Sequence, residues 1–248
     1  LPEVPAQLHF FGREVELCGD RLFVTHYLSE VVLEYTLVDG VWTKTHTFEA
    51  INNNTPSFGY SLAAIEDLLV IGSPSAYTNG VSTGAATVFE RVDGSWEAHG
   101  MLLPPIPGIT AAGHDCAIVS STKSIVLTAP SADITFGESG AVFFYQRVRD
   151  GWLPGTTIAP ESGSPLFGTF IRTSGDRAFV AEYGTASIIE GLELDDCNGN
   201  GTPDECDLLD GFTDCDANGT LDVCDTGGSA TADCNGNGIA DACDIAGG

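Results

Sequence analysis

The sequence predicts an all-β chain: β-propeller blades, three complete plus a partial fourth, followed by a cysteine-rich C-terminal tail of little regular secondary structure. Three observations predict it. The three tryptophans of the 248-residue chain, Trp42, Trp96 and Trp152, recur at steps of 54 and 56 residues. Each follows an Asp-Gly pair: Asp39-Gly40, Asp93-Gly94 and Asp150-Gly151. Six of the eight cysteines fall within residues 193–248, together with 14 acids and no Lys or Arg. The domain division is therefore 1–194 for the blades and 195–248 for the tail.

The elements of each unit follow in a fixed order. Phe11-Gly12 opens the first unit and returns as Phe58-Gly59, Ala112-Gly113 and Phe167-Gly168, at steps of 47, 54 and 55. Short apolar, β-branched runs come next: Asp20–Val24, Asp67–Ile71, Ser124–Leu127 and Asp176–Val180. Val31–Leu37, Ala85–Glu90 and Gly140–Gln146 then alternate apolar and polar residues and end at a glycine-containing turn. The tryptophan strand closes each complete unit. About four strands in roughly 50 residues fit a propeller blade. A β-sandwich has no reason to repeat its tryptophan. The fourth unit stops near Leu194, before a tryptophan strand. Either the ring closes on itself, with Pro5–Phe10 as the missing outer strand, or a neighbouring subunit completes it. Cys18 and Cys116 fall in the first strands of units one and three, which oppose each other in a four-bladed ring. A disulfide there and two free buried thiols are both open readings.

Charge excludes several partners. Lys+Arg total 9 against 35 Asp+Glu, a net of −26. Binding to phosphate backbones or to an anionic membrane surface needs a basic face, so neither nucleic acid nor membrane is an expected partner. The apolar share of 43% is that of a folded chain. No run of 18 apolar residues is present, so no membrane span is expected. The even cysteine count without a C-x-x-C pair points to disulfides and an oxidising compartment. Leu1-Pro2-Glu3 lacks the basic start of a signal peptide, which reads as a mature, processed, extracellular product.

The acidic tail contains three loops in register. Asp196, Asn198, Asn200, Thr202, Asp204 and Asp207 occupy positions 1, 3, 5, 7, 9 and 12 of the first. Asp214, Asp216, Asn218, Thr220, Asp222 and Asp225 occupy them in the second, and Asp233, Asn235, Asn237, Ile239, Asp241 and Asp244 in the third. Position 6 is Gly201, Gly219 and Gly238. Calcium is a hard cation that takes six to eight oxygens. Alternate side chains of a tight loop supply them, position 7 gives its carbonyl, and the glycine allows the sharp bend. The cofactor expected is therefore Ca2+, about three ions. Glu193, Asp195, Glu205 and Asp210 read as solvated charges. The loops leave six and seven residues between them, too few for the helix of an EF-hand. Cysteines at loop positions 2 and 11 allow pairing within loops (Cys197–Cys206, Cys215–Cys224, Cys234–Cys243), which uses all six. Pairing between loops (Cys206–Cys215, Cys224–Cys234) is the other arrangement.

The residues carry two resemblances. Phe58–Ala63, Asp67–Pro74, Gly84–Arg91 and Gly94-Ser95-Trp96 together resemble a bacterial FG-GAP repeat, which is similar to the β-propeller of integrin α subunits. Many blades of that family carry an acidic calcium loop between their first two strands. Here Cys18-Gly19-Asp20, Glu66-Asp67 and Ser121-Thr122-Lys123 lack the oxygens, so no calcium site is carried over to the blades. The tail resembles thrombospondin type-3 repeats. A dockerin-like tail that docks on a cohesin-type partner is the minor alternative.

No constellation asks for catalysis, and the chain is read as not an enzyme. His9, His26, His46, His99 and His114 are scattered. Glu14 and Glu16 could line the channel as a glycosidase pair, but alternating acids are equally one polar strand face. Thr78-Asn79-Gly80 is a turn signal. The reading is a secreted structural or cell-adhesion protein. Its propeller is an interaction surface for a protein partner or for itself, and its calcium-stiffened tail is a spacer or docking element. Head-to-tail assembly into a filament is one outcome. A glycan-binding or glycan-cleaving propeller is the alternative, and it requires a sugar-sized axial pocket with carboxylates and aromatics.

Overall fold

A computed structural model describes residues 11–134, 139–148, 151–160, 166–175 and 177–190. The chain divides into two units, Leu1–Leu192 and Glu193–Gly248. All of the second lies outside the described residues. So do Pro5–Phe10, His9, Asp150 and Asp176.

Seventeen strands follow in order among the described residues. The first blade is β1 (Phe11–Cys18), β2 (Arg21–His26), β3 (Val31–Val38) and β4 (Val41–Glu49). The second begins with β5 (Ser61–Ile65) and β6 (Leu68–Ser73). A small hairpin of β7 (Tyr77–Thr78) and β8 (Val81–Ser82) interrupts it, and β9 (Ala85–Val92) and β10 (Ser95–Leu102) complete it. The third is β11 (Cys116–Val119), β12 (Ser124–Ala129), β13 (Ala141–Val148) and β14 (Gly151–Ile158). The fourth shows β15 (Phe170–Ser174), β16 (Arg177–Glu182) and β17 (Thr185–Ile189). Each blade is an antiparallel meander in chain order, four-stranded in the first three and three-stranded in the fourth among the described residues. One 3-10 turn, Tyr27–Ser29, is the described helical element. No described helix is long and apolar enough to cross a membrane.

The turns follow from residue chemistry. Asp39-Gly40 and Asp93-Gly94 both take left-handed backbone angles, as Asn79-Gly80 does at the tip of the inserted hairpin. That is the twist a two-residue hairpin needs. The first turn of blades one and two is equally short, Gly19-Asp20 and Glu66-Asp67, and an acidic metal loop has no length there.

The core lies in the seams between blades. Phe23, Val32 and Phe48 of blade one pack on Phe58, Leu62, Leu69, Ile71 and Phe89. Val70 and Val88 of blade two share a cluster with Leu127, Phe143 and Tyr145 of blade three. Val126, Val142 and Phe144 meet Ile171, Ala178 and Val180 of blade four. A fully buried phenylalanine contributes about 2–3 kcal/mol, so the seams hold the blades together.

Two backbone contacts recur at the seams. Gly84, which opens β9, bridges to Ala112, and Gly140, which opens β13, bridges to Phe167. A Cβ at Gly84 or Gly140 would overlap the backbone of that next segment. The repeated Phe-Gly or Ala-Gly pair is thus the piece that each blade lays on the one before. Its own glycines, Gly12, Gly59, Gly113 and Gly168, all have φ between 74° and 91°.

The innermost strands pack in succession, β1 on β5, β5 on β11 and β11 on β15. Among the described residues, no packing of that extent joins β15 back to β1. Cys18 and Cys116 are both free thiols, so the disulfide reading of this pair is set aside. Cys116 Sγ turns toward the Val70 carbonyl, 3.8 Å away, and Cys18 packs into the seam between blades one and two.

Candidate functional site

Position in the repeat builds the site. The residue after each Phe-Gly or Ala-Gly glycine is Arg13, Tyr60, His114 or Thr169; the first three link blades one, two and three through their side chains, and the Thr169 backbone bonds to His114. The Arg13 guanidinium carbon sits 3.8 Å from the Tyr60 ring centroid and 5.7 Å from that of Tyr27. Arg13 Nε donates to the Tyr60 carbonyl at 3.2 Å. The Tyr60 hydroxyl lies 3.3 Å from His114 Nε2, with the two rings 5.1 Å apart. Burial holds His114 below its ordinary basicity and nearby Arg13 adds to this, against the opposing pull of Asp115 and a backbone bond at Thr169.

One step along the strands lies a charged layer. Asp115 Oδ1 accepts the Cys116 N–H at 3.0 Å. Its Oδ2 accepts the Ile171 N–H and Arg172 Nη1, each at 2.9 Å. One carboxylate therefore ties the inner strand of blade three to that of blade four. Burial still raises the Asp115 pKa above its ordinary value, against those bonds. Burial also raises Glu14 and Glu16; Asp115 adds to the first, and Arg172 counters the second most strongly. These three acids and Arg172 face one another electrostatically across the axis.

Of the Glu14/Glu16 pair, which the sequence reads either as channel-lining carboxylates or as one polar strand face, Glu16 reaches the axial cavity. Glu16 and Arg172 line an axial cavity of about 210 Å³, whose other walls include Leu62, Ile65, Cys116 and Ile118. Pockets for drug-sized ligands run to about 300–1,000 Å³. No aromatic side chain lines this one. Among the described residues no group of three or more His, Cys, Asp or Glu side chains is arranged to hold a metal. The eighteen proposed calcium ligands, from Asp196 to Asp244, and all six tail cysteines lie outside the described residues.

Sequence reasoning missed what the tryptophans do. Trp96 Nε1 donates to Glu34 Oε1 at 3.2 Å, and Trp152 Nε1 donates to Glu90 Oε1 at 3.2 Å. In both cases the outer strand of one blade reaches the third strand of the blade before it, across 62 residues. Glu90 also pairs with Arg147 and lies 3.8 Å from His99 Nε2. The signal available was a glutamate on the third strand, at the same 62-residue distance from two tryptophans.

The fold is that of a β-propeller, in a four-blade arrangement. No known family's sequence model matches the chain, and no curated protein matches it. Among solved structures it is similar to a protein of unknown function from Desulfotomaculum acetoxidans DSM 771. The TM-score is 0.53 at 15% identity, over 74% of this chain and 52% of that one. The chain thus spans about half the length of that protein, and the likeness is one of fold.

Proposed function

We propose that this is a secreted, non-catalytic, calcium-binding structural or adhesive protein, in which the blades offer an interaction surface and three calcium loops stiffen the tail. The observation that supports it best is the axis. The Asp115 carboxylate is tied to Arg172 and to two backbone N–H groups, beside a cavity of about 210 Å³. Binding then falls to the blade surfaces and loops. The FG-GAP-like pattern of Phe58–Trp96 favours an adhesive role, and the thrombospondin type-3-like tail favours an extracellular one. For the tail, the support is chemical: three copies of an oxygen-rich twelve-residue loop cannot bury a core and need metal and disulfides to become compact.

Calcium titration by calorimetry tests this reading. Uptake of about three ions per chain is expected, with Asp207→Ala or Asp225→Ala each removing about one. Limited proteolysis should leave the tail intact in calcium and cut it after EDTA. A chain that takes up no calcium, or whose cleavage pattern ignores EDTA, overturns the calcium reading.

A further inference from the structure

Two contacts join successive blades, a glycine bridge at the second and third seams and a tryptophan–glutamate bond at the first and second, and the chain carries unused halves of both at the ends of the blade series. The half that receives is a glycine opening the third strand, with an acid six residues on: Gly84 and Glu90 in blade two. Blade four repeats it as Gly184 and Glu190. Gly184 has φ 82°, matching Gly84 at 73° and Gly140 at 88°. A Cβ at Gly84 or Gly140 would collide with the following blade, whereas at Gly184 no described residue lies within 4 Å. Glu190 pairs with Arg177 at 3.2 Å, as Glu90 pairs with Arg147.

The half that inserts is Phe-Gly plus the tryptophan of the outer strand. Blade one has it as Phe11-Gly12 and Trp42. A Cβ on Gly12 would meet only its own blade, at Val15, and among the described residues Trp42 has no glutamate acceptor.

The sheet faces around these halves carry exposed apolar side chains beside buried ones such as Val24 and Tyr35. Side chains alternate along a strand, and directly paired residues share a face. Phe23 points into the seam with blade two, so Val15 and Leu17, paired with Val24 and Leu22, point the other way. They are 53% and 62% exposed. Ile171 and Val180 point into the seam with blade three, so Phe179 and its partner Ile188 point away from it. Phe170, Phe179 and Ile188 are 59%, 42% and 57% exposed.

We propose that blade one of a second copy of this chain docks on blade four, in the manner of the internal seams, with Trp42 donating to Glu190 and Phe11-Gly12 lying on Gly184. The occupant is a second copy because the face that fits is present on the same chain and, among the described residues, does not pack on its own blade four as the other inner strands pack on each other. A reciprocal pair makes this contact twice. It covers both faces and closes a ring of eight blades, within the usual range of about four to eight. The net charge of −26 opposes association, so added salt should strengthen it.

Sedimentation equilibrium of the full chain in about 0.15 M salt tests this, in calcium and again in EDTA. The junction uses no calcium loop, so its failure is distinct from failure of the calcium reading. The expected result is two chains for the wild type under both conditions. Leu17→Asp spoils only the inserting face and Ile188→Asp only the receiving face. Both sites are exposed, and unchanged melting would confirm folded variants. Each variant should sediment as one chain. Their equimolar mixture should recover two chains, because one intact face remains on each. A wild type that stays a single chain, variants that associate like the wild type, or a mixture that does not recover would each overturn the proposal.

Discussion

Gly113 shows how much one residue can decide. It sits at φ 81°, and a Cβ there would overlap the Ala85 carbonyl of the preceding blade. Gly113→Ala should therefore cost roughly 2 kcal/mol or more in urea unfolding, combining left-handed strain with the lost close approach. Trp96→Phe keeps the ring edge against Phe23, 5.9 Å away, and loses only the N–H to Glu34. Glu34 keeps Thr45 as a donor at 3.0 Å, so the expected loss is about 1 kcal/mol. A loss well above that would mean that the indole's shape matters more than its hydrogen bond. Burial raises both the Cys116 and the Cys18 thiol pKa. Cys116 is fully enclosed and Cys18 half-buried, so native protein should be alkylated slowly at Cys18 and not at Cys116 until it unfolds. Mass analysis of timed iodoacetamide reactions reads this directly.

At the level of the strand, the inner layer carries a pH dependence. Glu14, Glu16 and Asp115 all have raised folded pKa values. A raised acid is more easily protonated in the folded chain, so its favourable term is complete below the ordinary value (4.5 for the glutamates) and is lost as pH rises through the folded value. Glu16→Gln should then melt higher than the wild type near neutrality, and the gap should close on acidification. Taking the difference cancels the opposite trend of His114, whose lowered pKa costs stability as pH falls below 6.5. A gap of the same size at every pH would deny ionisation any part in it.

Much of this level was legible in sequence. The runs read as second and third strands coincide with β2, β6, β12, β3, β9 and β13 to within a few residues. The ends shift because Asp20 and Asp67 serve the turns. Alternation and Asp-Gly pairs are local signals, so blades and hairpins show through. The axial layer is not local. Asp115 meets Ile171 and Arg172 only after two blades are stacked, and nothing near it in the chain announces that. The inserted β7–β8 hairpin was visible only as its Asn79-Gly80 turn, because two-residue strands carry no periodicity.

For the molecule as a whole, charge and the seams pull against each other. Residues 1–192 carry a net of −12, with nine bases scattered among 21 acids. Self-repulsion of that size weakens a fold whose core is divided among the seams between blades. Raising salt from about 0.02 to 0.2 M should raise the melting temperature in EDTA, which removes any metal contribution. An unchanged melting point would mean that the acids are too dispersed to repel.

The repeated glycine bridge has a further consequence in inheritance. A unit that brings both halves of its own junction can be copied in frame and spliced beside its parent with no compensating change, because every new boundary is one the chain already knows how to make. Deletion of a unit leaves the same boundary behind. Blade number in such a lineage is then open to drift by duplication and loss, while the residues at each boundary stay under selection.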